Sequence, residues 1–149
     1  MDDPYGLRRF VDAKDTDGEG SYQDAVAELR AGRKRTHWMW YVFPQVAGLG
    51  HSPTARTFAI GSLAEAQAYL RHPVLGPRLR DCARLLLALG GDQPEAVLGG
   101  TDALKLRSSM TLFSRADPDQ ALFRQVLDKF YRGAPDQRTV ELLAGTERR

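Results

Sequence analysis

Apolar residues recur at helical spacing along most of the chain. The clearest stripe steps by four, three, four and three residues through Leu75, Leu79, Cys82, Leu86 and Leu89. Residues three and four apart lie on the same face of an α-helix, so this spacing predicts an amphipathic helix over 74–89. Gly90 and Gly91 follow the stripe directly and predict where that helix ends.

Capping residues predict the boundaries of further helices. Ser21 precedes an apolar stripe that ends at Gly32, and Ser52 stands before Pro53 at the start of another helix. A serine side chain accepts hydrogen bonds from the first amides of a helix, and proline fits the first helical position. The same signals predict helices over 62–71 and 94–98, with a capping box between Ser62 and Glu65, and helix starts at Asp102, Asp117 and Asp136. Apolar residues on one face predict a further short helix over 7–14.

The composition favours helices throughout. Leucine and alanine together number 37, whereas the β-branched valine and isoleucine number 9, and straight-chain or small residues favour helix over strand. Only the aromatic run over 37–43 is ambiguous, because it fits a short helix or a strand. The sequence predicts an all-α fold, a single compact multi-helical domain over 1–149 with about seven to nine short helices. Residues 1–6 and 145–149 are expected to fray.

Charge, cysteine content and hydropathy exclude several classes of protein. The net charge of +2 is too small to indicate a nucleic-acid-binding protein by itself. The chain has one cysteine, Cys82, so an internal disulfide is excluded. No apolar run is long enough to cross a membrane, and no signal peptide is recognisable after the acidic N-terminus. We therefore expect a cytoplasmic protein that does not associate with membranes.

Two polar segments could carry chemistry. The first runs from Arg30 to Trp40, with four cations over 30–35 followed by a histidine and two tryptophans. Guanidinium groups bind phosphate or carboxylate in a bidentate manner, and an indole ring offers a flat face to a planar ligand. The alternative is that the cations cover a surface turn and the aromatic residues belong to the core.

The second segment runs from Lys105 to Phe113 and places two serines, Ser108 and Ser109, within a helix. Serine is a poor helix former, so the pair requires a reason. The hydroxyl groups could line an anion site beside Lys105 and Arg107. They could equally allow close packing of another helix.

Histidine and cysteine give little sign of catalysis or metal binding. His37 is the candidate for acid–base work because imidazole titrates near neutral pH, although a hydrogen-bonded structural histidine is the simpler interpretation. No HExxH or related spacing predicts a metal site, and the glycine-rich phosphate-binding motifs and GxSxG are absent. Cys82 lies on an apolar stripe and is predicted to be an inert core residue.

The sequence resembles a bacterial family known as domain of unknown function 1810. The resemblance extends over nearly the whole chain and rests on long motifs at 28–45, 48–50, 72–79 and 105–113. It implies a mainly helical, single-domain cytosolic protein without an established activity. Members are sometimes labelled calpastatin, but calpastatin inhibits through disordered repeats, which this chain lacks. A looser similarity of the C-terminal part to the YbiA-like family implies cleavage of N-glycosidic bonds or removal of ADP-ribose.

These observations lead to one functional hypothesis and two alternatives. The hypothesis is a pocket for a small phosphorylated or nucleotide-like ligand, with no cofactor or metal, formed by Arg33, Lys34, Arg35, Trp38, Trp40, Lys105, Arg107, Ser108 and Ser109. If the protein is an enzyme, His37 is the catalytic candidate and hydrolysis of an N-glycoside or ADP-ribose is the reaction, with Asp102 or Asp136 as the options for a carboxylate. One alternative is a non-enzymatic interaction module that binds nucleic acid or an acidic protein through the Arg30–Arg35 patch. The other assigns both segments to helix packing alone.

Overall fold

The computed structural model describes residues 3–13 and 21–147. This part of the chain contains ten helices. They are α1 (Arg8–Val11), α2 (Tyr22–Ala31), α3 (Met39–Val42), α4 (Pro53–Thr57), α5 (Leu63–Arg71), α6 (Leu75–Ala88), α7 (Pro94–Leu98), α8 (Gly100–Ala116), α9 (Leu122–Tyr131) and α10 (Gln137–Glu147). The all-α prediction is confirmed. The count exceeds the expected seven to nine because single turns such as α1 and α3 separate from their neighbours. The segment 15–20, with two glycines and three acidic residues, is predicted to form a loop, and it lies outside the described residues.

Most predicted caps are present. The Ser21 side chain accepts a hydrogen bond from the amide of Asp24, and the Asp24 carboxylate accepts one from the amide of Ser21, which completes a capping box. Gly32 ends α2 in the left-handed conformation with φ of 79°, which glycine adopts at little cost. Ser52 caps α4 as predicted, and the carboxylate of Asp136 accepts from the amide of Thr139 in the first turn of α10.

Two predicted helix starts and one predicted capping box differ from the structure. Ser62 accepts from the amide of Glu65, but the Glu65 carboxylate bonds to the amide of Gly61 and to Arg9 instead of completing the box. Asp117 and Pro118 form a turn, and α9 begins only at Leu122. Asp102 lies inside α8 and bonds to two lysines instead of capping the helix. In each case a tertiary partner or the chain path overrides the local signal.

Helix α8 lies at the centre of the molecule. It packs against α5, α7, α9 and α10, and every residue over 108–113 is buried. A helix surrounded by neighbours needs buried residues on all sides, and small polar residues let other helices approach closely. This packing accounts for the two serines in the middle of α8.

The aromatic run over 37–43 is helical where it has regular structure. Trp38 and Phe43 flank the single turn of α3, and both side chains are fully buried. Four further rings, at Phe10, Tyr69, Phe113 and Phe123, contact one another in succession in edge-on or tilted pairs, with centroid separations of 5.3, 5.2 and 5.9 Å. The aromatic residues thus connect α1, α5, α8 and α9 in one core.

Candidate functional site

The two polar segments meet in space. The amide of Lys34 donates to the carbonyl of Val97 at 2.7 Å. The ammonium group of Lys34 lies 2.9 Å from Oδ2 of Asp102, and that of Lys105 lies 3.2 Å from Oδ1 of the same carboxylate. We call Lys34, Asp102 and Lys105 the lysine–aspartate cluster. It joins the segment after α2 to the first turns of α8.

The lysine–aspartate cluster is largely withdrawn from water. The exposed fractions of the side chains are 10% for Lys34, 17% for Asp102 and 19% for Lys105. Two ammonium groups and one carboxylate leave one positive charge at this place. Charges that are mostly buried cost free energy unless each is paired and hydrogen-bonded. Asp102 therefore holds both ammonium groups beside each other.

The two tryptophans have different environments. The ring of Trp40 is half-buried, and the ammonium nitrogen of Lys105 lies 4.0 Å from its centroid, a cation–π contact. Trp38 has no exposed surface, and its Nε1 donates to the carboxylate of Glu28 at 3.1 Å. Trp40 can therefore present part of its ring to a ligand, whereas Trp38 presents none and belongs to the core.

Glu28 organises the turn that carries the cations, and it is not among the predicted site residues. Its carboxylate accepts hydrogen bonds from the amides of Arg35 and Thr36, from the hydroxyl of Thr36 and from the indole of Trp38. Burial raises the pKa of this carboxyl, but the hydrogen bonds outweigh burial and hold the pKa below its usual value of 4.5. Its place in the last turn of α2, just before the basic run, was the only signal in the sequence.

The arginines of the basic run face solvent. Arg30, Arg33 and Arg35 are exposed, and no described carboxylate forms an ion pair with Arg33 or Arg35. His37 is exposed as well, and its carbonyl accepts a hydrogen bond from the hydroxyl of Tyr41. The predicted ligand-binding residues of this segment are therefore divided between the lysine–aspartate cluster and an open surface.

Of the remaining predicted site residues, Arg107 and Ser108 bond to the C-terminal part of the chain. Arg107 donates from Nε to the carbonyl of Ala134 at 3.0 Å, and the hydroxyl groups of Ser108 and Thr139 lie 2.8 Å apart. The Ser109 hydroxyl is buried without a hydrogen-bond partner among the described residues. These contacts favour helix packing as the reason for the serine pair.

Comparison with known proteins identifies the family. A family model described as a protein of unknown function (DUF1810) matches residues 4–143. The chain belongs to the DUF1810 family. The crystal structure of the conserved hypothetical protein Rv1873 from Mycobacterium tuberculosis is similar to this DUF1810 protein, with 53% sequence identity, a TM-score of 0.89, and coverage of 95% of this chain and 99% of the other. No curated protein matches the DUF1810 chain.

These similarities confirm the family and the helical fold of the DUF1810 protein, and they name no activity. In the described part of the chain, no group of three or more His, Cys, Asp or Glu side chains is placed to hold a metal ion. None of the helices in the same part is both long and apolar enough to cross a membrane. A functional proposal for this DUF1810 member therefore depends on the lysine–aspartate cluster and on the exposed arginines.

Proposed function

We propose that the protein binds a small anionic ligand at the lysine–aspartate cluster, with Trp40 as a flat wall beside it. The supporting observation is that two ammonium groups share one carboxylate and are less than one-fifth exposed. An ammonium group has three N–H donors. Asp102 occupies one donor of each lysine, which leaves donors on both for a further acceptor.

Electrostatics favours an anion at this place. One uncompensated positive charge remains in the cluster, and water screens it only partly because the side chains are mostly buried. Opposite charges about 4 Å apart attract by about 4 kcal/mol at an effective dielectric constant near 20, against about 1 kcal/mol in bulk water. A phosphate or carboxylate beside the two lysines would gain charge-assisted hydrogen bonds from the donors that Asp102 leaves unused.

The ligand class follows from the ring beside the lysines. Trp40 is half-buried, so its indole keeps some surface open to a ligand, and Lys105 contacts one face of the ring. A planar group joined to a phosphate could contact the ring and the ammonium groups together. This arrangement supports a phosphorylated or nucleotide-like molecule as the ligand.

A binding titration tests the proposal. Inorganic phosphate, AMP and ADP-ribose are titrated by calorimetry into the wild type and into Lys34→Met and Lys105→Met, each of which leaves Asp102 one lysine. We expect AMP or ADP-ribose to bind more tightly than phosphate, and each substitution to weaken binding by about tenfold, or 1.4 kcal/mol. Arg138→Met, which removes an exposed cation of α10, is the matched control. Equal affinity in the wild type and both lysine variants would refute the proposal.

Hydrolysis of an N-glycosidic bond or of ADP-ribose is a narrower proposal for the same site. Such a reaction needs a carboxylate or a positioned water near the sugar. Asp102 is the carboxylate of the cluster, and both of its oxygens face ammonium groups. Asp136, the other option, caps α10 by bonding to Thr139. Chromatography of ADP-ribose incubated with the wild type and with His37→Ala measures whether turnover occurs and depends on His37.

Binding of an acidic protein or a nucleic acid through Arg30, Arg33 and Arg35, which we call the arginine patch, is the second candidate function. The observation that favours it is the state of Glu28, the acidic residue of the same turn. Backbone amides, Thr36 and Trp38 occupy its carboxylate, so it forms no ion pair with the exposed guanidinium groups. Nucleic-acid binding that depends on contacts with the phosphate backbone would weaken steeply as the salt concentration rises. The affinity for an oligonucleotide should fall between low and moderate salt and be lost in the double variant Arg33→Gln, Arg35→Gln.

A further inference from the structure

An open hollow with a volume of about 290 Å³ lies where the C-terminal ends of α5 and α8 meet α6. Two arginines and one aspartate line it together with a glutamine and two apolar residues, and we call it the arginine–aspartate hollow. Its lining consists of Gln67, Leu70, Arg71, Arg80, Ala116 and Asp117. None of these residues belongs to the lysine–aspartate cluster or to the arginine patch, so the hollow is a separate place on the molecule.

The fold fixes the guanidinium group of Arg80 at the wall of the hollow. Its Nε donates to Oε1 of Gln120 at 3.1 Å, and its Nη2 donates to the carbonyl of Leu70 at 3.2 Å. Gly76 lies one helical turn before Arg80, and a Cβ atom there would come within 2.2 Å of the same carbonyl oxygen. Glycine thus lets α6 approach the end of α5 closely. Both acceptors are uncharged, so neither neutralises the charge of Arg80.

The charges that line the hollow are not paired with one another. Within residues 3–13 and 21–147, no carboxylate forms an ion pair with Arg71 or Arg80, and no cation forms one with Asp117. Arg80 and Asp117 are half-buried, and Arg71 is exposed. Charges that are partly withdrawn from water interact more strongly with a ligand charge than fully hydrated ones do.

A ligand for this hollow needs charges of both signs. The two arginines favour a carboxylate or phosphate, because a guanidinium group binds either one through two parallel hydrogen bonds. Asp117 repels an anion but attracts an ammonium group. A nucleic acid or another polyanion would bring negative charge against Asp117 without compensation. A small zwitterion meets both requirements.

We propose that the arginine–aspartate hollow binds a small zwitterion of the α-amino-acid class, with its carboxylate on Arg71 and Arg80 and its ammonium group on Asp117. The Gln67 side chain has no hydrogen-bond partner among the described residues, so its amide is available to the ligand as well. The volume of about 290 Å³ is close to the lower end of the range for small-molecule pockets, roughly 300–1,000 Å³. This size suits an amino acid better than a nucleotide.

A titration followed by NMR of the isotope-labelled protein tests the proposal, because shifts of backbone amides locate a site and measure its affinity. The ligand is L-alanine, and propionate and ethylamine are the analogues that lack its ammonium or its carboxylate group. Inorganic phosphate is the fourth probe. The variants are Arg71→Gln and Asp117→Asn, neither of which removes a side-chain hydrogen bond or ion pair with a described residue. Arg115→Gln and Asp119→Asn, at exposed positions outside the hollow, are the matched controls.

We expect L-alanine to cause saturable shifts at the amides of Leu70, Arg71 and Asp117. Arg71→Gln and Asp117→Asn should each weaken that binding by about tenfold, or 1.4 kcal/mol, and propionate and ethylamine should bind the wild type as weakly. Both control variants should bind L-alanine as the wild type does.

Several results would overturn the proposal. Binding of propionate or phosphate as tight as that of L-alanine would show a simple anion site in which Asp117 has no role. Shifts confined to the surroundings of Lys34 and Lys105 would assign the ligand to the lysine–aspartate cluster instead. The absence of any saturable shift with L-alanine would remove the amino-acid site and leave the functions proposed above untouched.

Discussion

At the scale of single residues, Glu28 has more influence on the cationic turn than any arginine in it. Its carboxylate receives hydrogen bonds from two consecutive backbone amides, at Arg35 and Thr36, and from the indole of Trp38. The turn is therefore held by an anion in its interior, while the guanidinium groups stay outside. Nothing in the basic run itself indicates this arrangement.

Substitution of Glu28 by Gln should destabilise the fold by roughly 1.5–3 kcal/mol at neutral pH, because hydrogen bonds to a charged acceptor are lost. The pKa of Glu28 is lowered in the folded state. The stabilisation that the Glu28 carboxylate provides is therefore present at pH values above its pKa in the unfolded chain. It is lost as the pH falls through its pKa in the folded protein. The difference in unfolding free energy between the wild type and Glu28→Gln, measured by urea unfolding, should become smaller from pH 7 towards pH 3.

The exposed Glu141, which pairs with Arg138 on α10, provides the control for this experiment. Glu141→Gln should change the unfolding free energy by less than about 0.5 kcal/mol at either pH, as surface substitutions usually do. If the difference in unfolding free energy between the wild type and Glu28→Gln stays constant from pH 7 to pH 3, the pKa of Glu28 is not lowered by folding.

At the scale of elements, Lys129 of α9 closes the C-terminal end of α6. Its ammonium group donates to the carbonyls of Leu86 at 3.1 Å and Leu87 at 2.9 Å, and also to that of Leu89. The last carbonyls of a helix lack partners within it and carry partial negative charge, so a lysine stabilises them.

Cys82 lies on the buried face of the same helix, where burial raises the pKa of its thiol to about 12. The thiol is thereby kept protonated and inert.

Lys129→Met keeps the aliphatic stem and removes the ammonium group. We expect a loss of about 1–3 kcal/mol in unfolding free energy, since charged hydrogen bonds to the helix end disappear. Arg124→Met, an exposed position on the same helix, is the control and should have little effect. The measurement is the midpoint of urea unfolding, and equal midpoints for the two variants would show that the three carbonyl contacts contribute nothing.

At the scale of the whole molecule, a set of hydroxyl contacts attaches α10 to the central helix α8. Ser108 and Thr139 are both buried and their oxygens are 2.8 Å apart. The amide of Asp136 donates to the hydroxyl of Thr111 at 2.9 Å. These bonds close the C-terminal part of the chain over α8 and explain why serine and threonine occur in the core.

A double-mutant cycle measures this attachment. Thr139→Val should destabilise the protein by about 1–3 kcal/mol, because it leaves the buried Ser108 hydroxyl without its partner and removes the hydrogen bond to Asp136. Ser108→Ala should cost about 0.5–1.5 kcal/mol, because the Thr139 hydroxyl keeps its hydrogen bond to Asp136. The double variant should cost less than the sum of the two single ones. Thr101→Val, at an exposed position of α8, is the control. Additive effects in thermal or urea unfolding would mean that the two hydroxyl groups do not interact.

The sequence by itself determined the helices, because their signals lie within a few residues of one another. The stripe from Leu75 to Leu89, the cap at Ser21 and the glycine at Gly32 each specify local backbone geometry. The family could also be recognised, since its motifs are continuous in the sequence. The prediction that Asp117 starts a helix was wrong because proline and aspartate signal turns as well as helix starts.

Only the tertiary structure decided which polar side chains face one another. Asp102 forms an ion pair with Lys34, which comes from a distant part of the chain. Asp102 therefore does not cap α8, as the sequence predicted it would. Trp38 and Trp40 are two residues apart, yet one is buried on Glu28 and the other faces Lys105. Periodicity reports how a segment folds, whereas a site depends on contacts between segments. Those contacts are set by the packing of the whole core.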